Sequence, residues 1–205
     1  MTILAHPDDA EVWAGGTILN HRSVGDEVLI CTFSLGNLRR AEEALKGSQV
    51  LGARLVLIEE TGIVANAHLA NEVAELIHTF QPATIITHWR EDTHDEHRDV
   101  FTIVNRATAR SRIEHDLPHT LYMCDTYNSL GLSGPFMPTK YVDVTEEWQT
   151  KCKAIAVHES QDPPFWQEMI TRQARLHGGR VGVDYAEAFC EIPILGHLTA
   201  CKNLS

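Results

Sequence analysis

Two rhythms of apolar residues run along this chain. Short, nearly unbroken apolar runs rich in β-branched residues fall at residues 1–5, 27–33, 53–58 and 83–88, the signature of buried strands. Between them, apolar positions recur every three to four residues, as on one face of a helix. This spacing covers 12–23. It covers 38–51, where Ala41, Ala44, Leu45, Ser48 and Leu51 share a face and Gly52 is the stop. It returns after Asn66, a capping residue, with Leu69, Val73, Leu76, Ile77 and Phe80 in register before Pro82. A fourth helix is predicted from about His97, with Val100, Ile103, Val104 and Ala107 inward, and a fifth strand at 117–124.

Strand–helix alternation of this kind predicts an α/β fold, a Rossmann-like open, mostly parallel sheet flanked by helices. After residue 124 the alternation loosens into an added C-terminal section. Residues 128–138 hold Gly131, Gly134, Pro135 and Pro138 and read as a loop of the kind that closes over a site. A short strand at 140–144 leads to Thr145, the predicted cap of a helix with Glu146 and Glu147 in its first turn and Trp148, Cys152, Ile155 and Ala156 inward. Asp162-Pro163 opens a last helix, expected to stop at Gly178-Gly179.

Composition narrows the function classes. A chain of 205 residues is expected to be one domain, 1–205, able to bury a substantial core. No apolar run approaches the ~20 residues of a membrane span. No basic region precedes the apolar start, so no signal peptide is expected. A formal charge of −11 argues against a nucleic-acid surface. The cysteines (Cys31, Cys124, Cys152, Cys190, Cys201) are odd in number and form no CxxC pair, which points to reduced thiols and a cytoplasmic protein.

The candidate chemistry lies in two short stretches. Ala5-His6-Pro7-Asp8-Asp9-Ala10-Glu11 sits where the first strand turns into the first helix, at the end of the sheet where ligands bind in such folds. Asp8 followed by Glu11 matches a capping box. That leaves His6 and Asp9 without a structural task. His94-Asp95-Glu96-His97 follows the fourth strand; with Arg90, Glu91 and Asp92 beside it, it reads in isolation as a solvated polar loop. In a doubly wound sheet the first and fourth strands adjoin at the switch point, and both loops open into one crevice. His6, Asp9 and His97 would then offer three N and O donors and leave a position for water, the pattern of a catalytic zinc site.

AHPDDAE, a helix holding Gly15-Gly16, and HDEH after the fourth strand together resemble the LmbE-like (PIG-L) zinc-dependent N-deacetylases, which remove acetyl groups from N-acetylglucosamine-type amino sugars. Arg40 and Glu43 are similar to the family's Arg-x-x-Glu helix. Val142-Asp143-Val144, Lys151, Lys153 and His158-Glu159-Ser160-Gln161 resemble its C-terminal stretch, and Tyr185-Ala186-Glu187-Ala188-Phe189 its late segment. The pieces span nearly the whole chain in order. The resemblance implies Zn2+ as cofactor, His6, Asp9 and His97 as its ligands, and Asp8 as the general base that deprotonates the zinc-bound water. His94 would be the cationic partner of the oxyanion or the departing amine.

Further residues take roles from the same resemblance. Arg40 would contact substrate or hold a carboxylate of the site; the competing reading is a surface arginine paired with Glu43 one turn on. Glu96 stands where the family carries an aspartate that orients a histidine, so a longer side chain must make that bond. Residues 34–37 form a shorter link than the glycine-rich insertion of many relatives, which predicts a more open sugar wall. His158 is expected to support the site from behind or to be structural, and His88 to pack or support rather than to ligate. Trp89, Trp166 and Phe136 are candidates to stack on a sugar face, with core packing expected for Trp166.

The expected function is therefore a zinc-dependent hydrolase of linear amide C–N bonds, acting on an N-acetylated amino sugar or small conjugate. A phosphoesterase would recruit two metals or more cationic groups. A non-catalytic zinc- or sugar-binding module needs neither Asp8 nor His94. A dinucleotide site is disfavoured because Gly15-Gly16 is not GxGxxG. The expected partner is the small sugar substrate, with no nucleic acid. Because relatives include closed oligomers, a homo-oligomer is also expected.

Overall fold

The computed structural model describes residues 1–200, which leaves Cys201 outside the described residues. In chain order these form β1 (Thr2–Ile3), α1 (Asp9–Ser23), β2 (Leu29–Phe33), α2 (Leu38–Val50), β3 (Arg54–Ile58), α3 (Ala67–Phe80), β4 (Thr84–Thr87), α4 (Asp95–His115) and β5 (Thr120–Cys124). A small hairpin, β6 (Leu130–Gly131) with β7 (Gly134–Pro135), is followed by β8 (Lys140–Asp143), α5 (Trp148–Ala156), α6 (Pro163–Val181) and β9 (Ala186–Ile192). The α/β class is as the apolar pattern predicts.

Seven strands form one sheet in the order β3-β2-β1-β4-β5-β9-β8. The five strands from β3 to β5 are parallel, and β9 and β8 close that edge antiparallel. The chain winds outward from β1 to β3, then returns across β1 to β4, so the switch point falls between β1 and β4. Both faces of the sheet are covered. Cys31 and Phe33 of β2 pack in the layer with α3 and α4, while Ile30 packs in the layer with α1, α5 and α6. Burial on both faces is why these strands read as continuous apolar runs. Among the described residues no helix is long and apolar enough to cross a membrane.

Local signals that failed did so for visible reasons. The capping box does not form: the Asp8 side chain makes no cap hydrogen bond, and α1 already begins at Asp9. Thr145 is no helix cap; its hydroxyl accepts from Tyr185 N–H and donates to Tyr185 O, and α5 starts only at Trp148, which puts Glu146 and Glu147 ahead of the helix. Gly178-Gly179 does not stop α6, which runs on to a left-handed Gly182. Gly178 is there because a Cβ would lie 2.5 Å from Val183 O. The 128–138 segment is no free lid, since Leu132 N–H donates to Glu91 O and Phe136 is buried.

β9 is the element that the apolar pattern hides, because a buried glutamate interrupts it. Glu187 accepts from Gly16 N–H, Thr17 N–H and the Thr17 hydroxyl, mid-way along α1. Lys151 of α5 pairs with it at 2.5 Å and also donates to Val12 O. This buried ion pair ties α1, α5 and β9 together. Removing one charge strands the other in a low-dielectric interior. Lys151→Met should therefore cost roughly 3–5 kcal/mol in urea unfolding, and the added change Glu187→Gln should recover part of it.

Candidate metal centre

The loops after β1 and β4 meet at the switch point, and they bring a histidine and a carboxylate from the first against a histidine from the second. His6 Nδ1 lies 3.2 Å from Asp9 Oδ2 and 3.2 Å from His97 Nε2. His97 Nε2 lies 3.5 Å from the same Asp9 oxygen. A tetrahedral ion bound at roughly 2.0–2.2 Å spaces its ligand atoms about 3.3–3.5 Å apart. The triangle has that size, and its two imidazoles and one carboxylate leave one position open. The three ligands named from the sequence converge, and they fit a divalent metal.

What fixes the triangle is a carboxylate behind each imidazole. Asp92 Oδ2 meets His97 Nδ1 at 2.9 Å, which turns Nε2 toward the centre. Asp92 is itself held: it accepts from the Thr126 hydroxyl at 2.6 Å and from His94 N–H at 2.8 Å. Glu96 Oε2 meets His6 Nε2 at 2.9 Å and turns Nδ1 inward, while its other oxygen accepts from Ile63 N–H. Carboxylates in this position orient and strengthen metal-binding histidines. Glu96 thus makes a histidine-orienting bond despite its extra methylene. Asp92, read from sequence as part of a solvated loop, is wholly buried. Its signal was available only as an acidic residue five positions before His97.

Asp9 is the centre of the arrangement. It is 5% exposed and accepts from His6 N–H at 2.7 Å and from Trp13 Nε1–H at 3.0 Å. Burial alone would raise its pKa, yet His97, His88 and His6 hold it well below the usual carboxylate range. Burial opposes charge on His6, but the Asp9 and Glu96 carboxylates outweigh it and raise the His6 pKa to about 9. His88 is fully buried, stacked on His97 at 3.6 Å, and its Nε2 accepts from Ala5 N–H. Its Nε2 is also 3.1 Å from Asp9 Oδ2, but burial and His97 lower its pKa to about 4. Its ring lies against both Asp9 and His97, close enough for the three to form a donor group of their own.

Beside the triangle opens a cleft of about 150 Å³ lined by Asp8, Val12, Arg40, His94, Tyr127, Gln161 and Trp166. Arg40 donates to Asp8 Oδ1 at 2.7 Å and is no surface partner of Glu43, which is taken by Arg39 and Ser160. His94 is half-buried, and burial, His97 and His6 push its pKa down, so a cationic His94 is not what its surroundings favour. His158 does not line the cleft; it is buried with Nε2 3.6 Å from Glu11 Oε1. The aromatic candidates exchange places. Trp89 and Phe136 pack edge-to-face in the core, whereas Trp166 lines the cleft.

The family model described as PIG-L, GlcNAc-PI de-N-acetylase, matches residues 1–108, just over half the chain and the part that carries the whole triangle. The chain belongs to this family. A diacetylchitobiose deacetylase of Thermococcus kodakarensis is 24% identical over 94% of this chain and 82% of its own. The N,N'-diacetylchitobiose deacetylase of Pyrococcus horikoshii, solved with an inhibitor, aligns at a TM-score of 0.78 and 21% identity, covering 98% of this chain and 87% of the other. The 4-carboxy-2-hydroxymuconate hydratase of Pseudomonas putida aligns at 0.80 and 18% identity, covering 100% and 99%. At such identities the two structures establish the PIG-L fold and not the reaction.

If Asp92 and Glu96 orient the ligands, neutralising either should loosen the metal without unfolding the protein. Asp92→Asn and Glu96→Gln are each expected to weaken divalent-metal affinity about 10–100-fold in competition with a chromophoric chelator. Unchanged affinity would show that the two carboxylates do not serve the centre.

Proposed function

We propose that this protein is a zinc-dependent N-deacetylase that removes the acetyl group from an amino sugar or a small N-acetylglucosamine-type conjugate. One observation carries the reading: His6 Nδ1, Asp9 Oδ2 and His97 Nε2 converge within 3.5 Å beside a cleft that also holds the Asp8 carboxylate and a third histidine, His94. His6, Asp9 and His97 would hold the ion, and two imidazoles with one carboxylate are a donor set that suits zinc. When bound there, zinc supplies Lewis acidity toward an acyl oxygen and toward water.

The side chains account for the proton movements. Arg40 holds Asp8, which lines the cleft, by Oδ1 and leaves Oδ2 as the oxygen for the proton. Asp8 takes a proton from the attacking water as oxygen adds to the acyl carbon. It returns that proton to the nitrogen as the C–N bond breaks, giving acetate and a free amine. His94, kept neutral by its surroundings, serves as a hydrogen-bond donor to the carbonyl oxygen as charge develops there. This role revises the cationic one implied by the family resemblance. A phosphoesterase reading gains no support, because Arg40, the one cationic side chain lining the cleft among the described residues, is committed to Asp8.

The rest of the chain fits the same picture. The sheet runs unbroken from β3 to β8, which supports one deacetylase domain over 1–205. Unpaired thiols at Cys31, Cys124, Cys152 and Cys190 support a reducing, cytoplasmic setting.

Purified protein is expected to carry about one zinc per chain and to release acetate from N-acetylglucosamine derivatives. Asp8→Ala should keep the zinc and lose roughly 10²–10⁴-fold in kcat, and His94→Ala about 10²–10³-fold, while His97→Ala should lose the metal. Zinc lost equally from the Asp8 and His97 variants would reverse the assignment of base and ligand. Phosphate release without acetate release would replace the reaction.

A further inference from the structure

Two stretches of sequence far from the metal ligands meet on one wall of the cleft. Glu43 of α2 accepts from Ser160 N–H at 3.0 Å and from the Ser160 hydroxyl at 2.5 Å. Ser160 in turn accepts from Gln161 Nε2, once through its carbonyl and once through its hydroxyl, both at 2.9 Å. The amide nitrogen of Gln161 is thereby committed to the protein. Its Oε1 is the one polar atom left over, a hydrogen-bond acceptor on a residue that lines the cleft.

Five residues on, Trp166 lines the same cleft from the first turns of α6. The indole is braced from two sides: Phe165 meets it edge-on at 5.3 Å, and Tyr127 lies tilted against it at 5.8 Å. The neighbouring Gln167 donates to Cys152 O at 2.8 Å, which ties this turn of α6 to α5. Trp166 is therefore a large apolar surface on a rigid helix, left partly exposed where burial in the core was expected.

We propose that Trp166 and Gln161 form the sugar-recognising wall of the cleft: the indole takes the apolar face of the acetamide-bearing pyranose ring, and Gln161 Oε1 accepts from one of its hydroxyls. The wall rests on the deacetylase reading for the acetamide that it presents to the metal. The chemistry is selective. A pyranose offers C–H groups on one face and hydroxyl donors around its edge, which is what a fixed aromatic beside a fixed acceptor can use. A flexible acetylated alkylamine, such as an acyl-lysine side chain, offers neither. Arg40, which lines the same cleft, is held by Asp8 and leaves the wall to sort the substrate.

Trp166→Ala should raise KM for an N-acetylglucosamine substrate about tenfold, and Gln161→Ala about threefold to tenfold, with kcat and bound zinc at wild-type levels. Trp166→Phe should recover most of the loss. Unchanged KM in both alanine variants, a loss confined to kcat, or a loss of zinc would each overturn the wall. Failure of the reaction itself is read separately, by calorimetric titration of the Asp8→Asn protein with diacetylchitobiose. If no sugar yields acetate, the deacetylase reading falls. The wall then stands if Asp8→Asn protein binds the disaccharide and the added Trp166→Ala abolishes binding. It falls if the two bind equally or if neither binds.

Discussion

A carboxylate that is 5% exposed and faces three imidazoles sets the terms for everything around it. Leaving Asp9 charged in that place without compensation would cost several kcal/mol. The fold answers with the ends of four elements. β1 stops so that His6 can turn back on Asp9, and α1 starts at Asp9 itself, where the positive end of the helix favours an anion. β4 leads to Asp92, and α4 starts at Asp95 and delivers Glu96 and His97 from its first turn. Two of the imidazoles, His6 and His97, are pinned by a carboxylate at the far nitrogen, which turns the other nitrogen toward Asp9. A cation held by His6 would compete with a proton for the same lone pair, so its binding would release that proton.

The remaining motifs make sense as supports for the cleft and not for the ion. Glu43, three residues after Arg40, reaches across to Ser160, and this contact is what joins α2 to the turn after α5. Arg40, from the same helix, reaches the other way to Asp8. One helix thus holds both Asp8 and the turn that carries Gln161. His158, which starts the turn, sits against Glu11 with its charge favoured by that carboxylate against the cost of burial. Gly47 has no side chain because one would collide with Glu11 and His158. Lys151 and Glu187 do the same work deeper in, where they lock the middle of α1 to α5 and β9.

Much of this was legible in the sequence because it is written locally. Apolar runs and 3.6-residue periods gave the strands and helices through β5. Order along the chain then placed the β1 and β4 loops together, and with them His6, Asp9 and His97. What was not legible depends on pairing across long separations. Asp92 looks like any acidic loop residue until Thr126, 34 positions later, and His97 enclose it. β9 carries a buried glutamate whose partners lie on α1 and α5, so no alternation betrays it. Asp8 and Glu11 have the spacing of a cap, but tertiary partners, Arg40 and His158, outbid the local bond. Trp166 and Trp89 are alike in sequence; only the packing of Phe136 on Trp89 and the edge of the cleft beside Trp166 separate them.

A sheet that also carries a hydratase does not choose the reaction, and the choice must lie in the side chains. Adding water to a carbon–carbon double bond and adding it to an amide both begin with a base that takes a proton from water. They part at the second step. An amine leaves an acyl carbon only as it gains a proton, so amide hydrolysis needs a group that can hand back what it has taken. Asp8, in the role proposed for it, would meet that need: Arg40 secures one oxygen, and the other would carry the proton from the water to the nitrogen. His94, in the N-cap position of α4, is disfavoured as a cation by burial and by its histidine neighbours, which suits the hydrogen-bonding role proposed for it and not delivery of the proton. With the two roles divided as proposed, the reaction would begin and end at the same carboxylate.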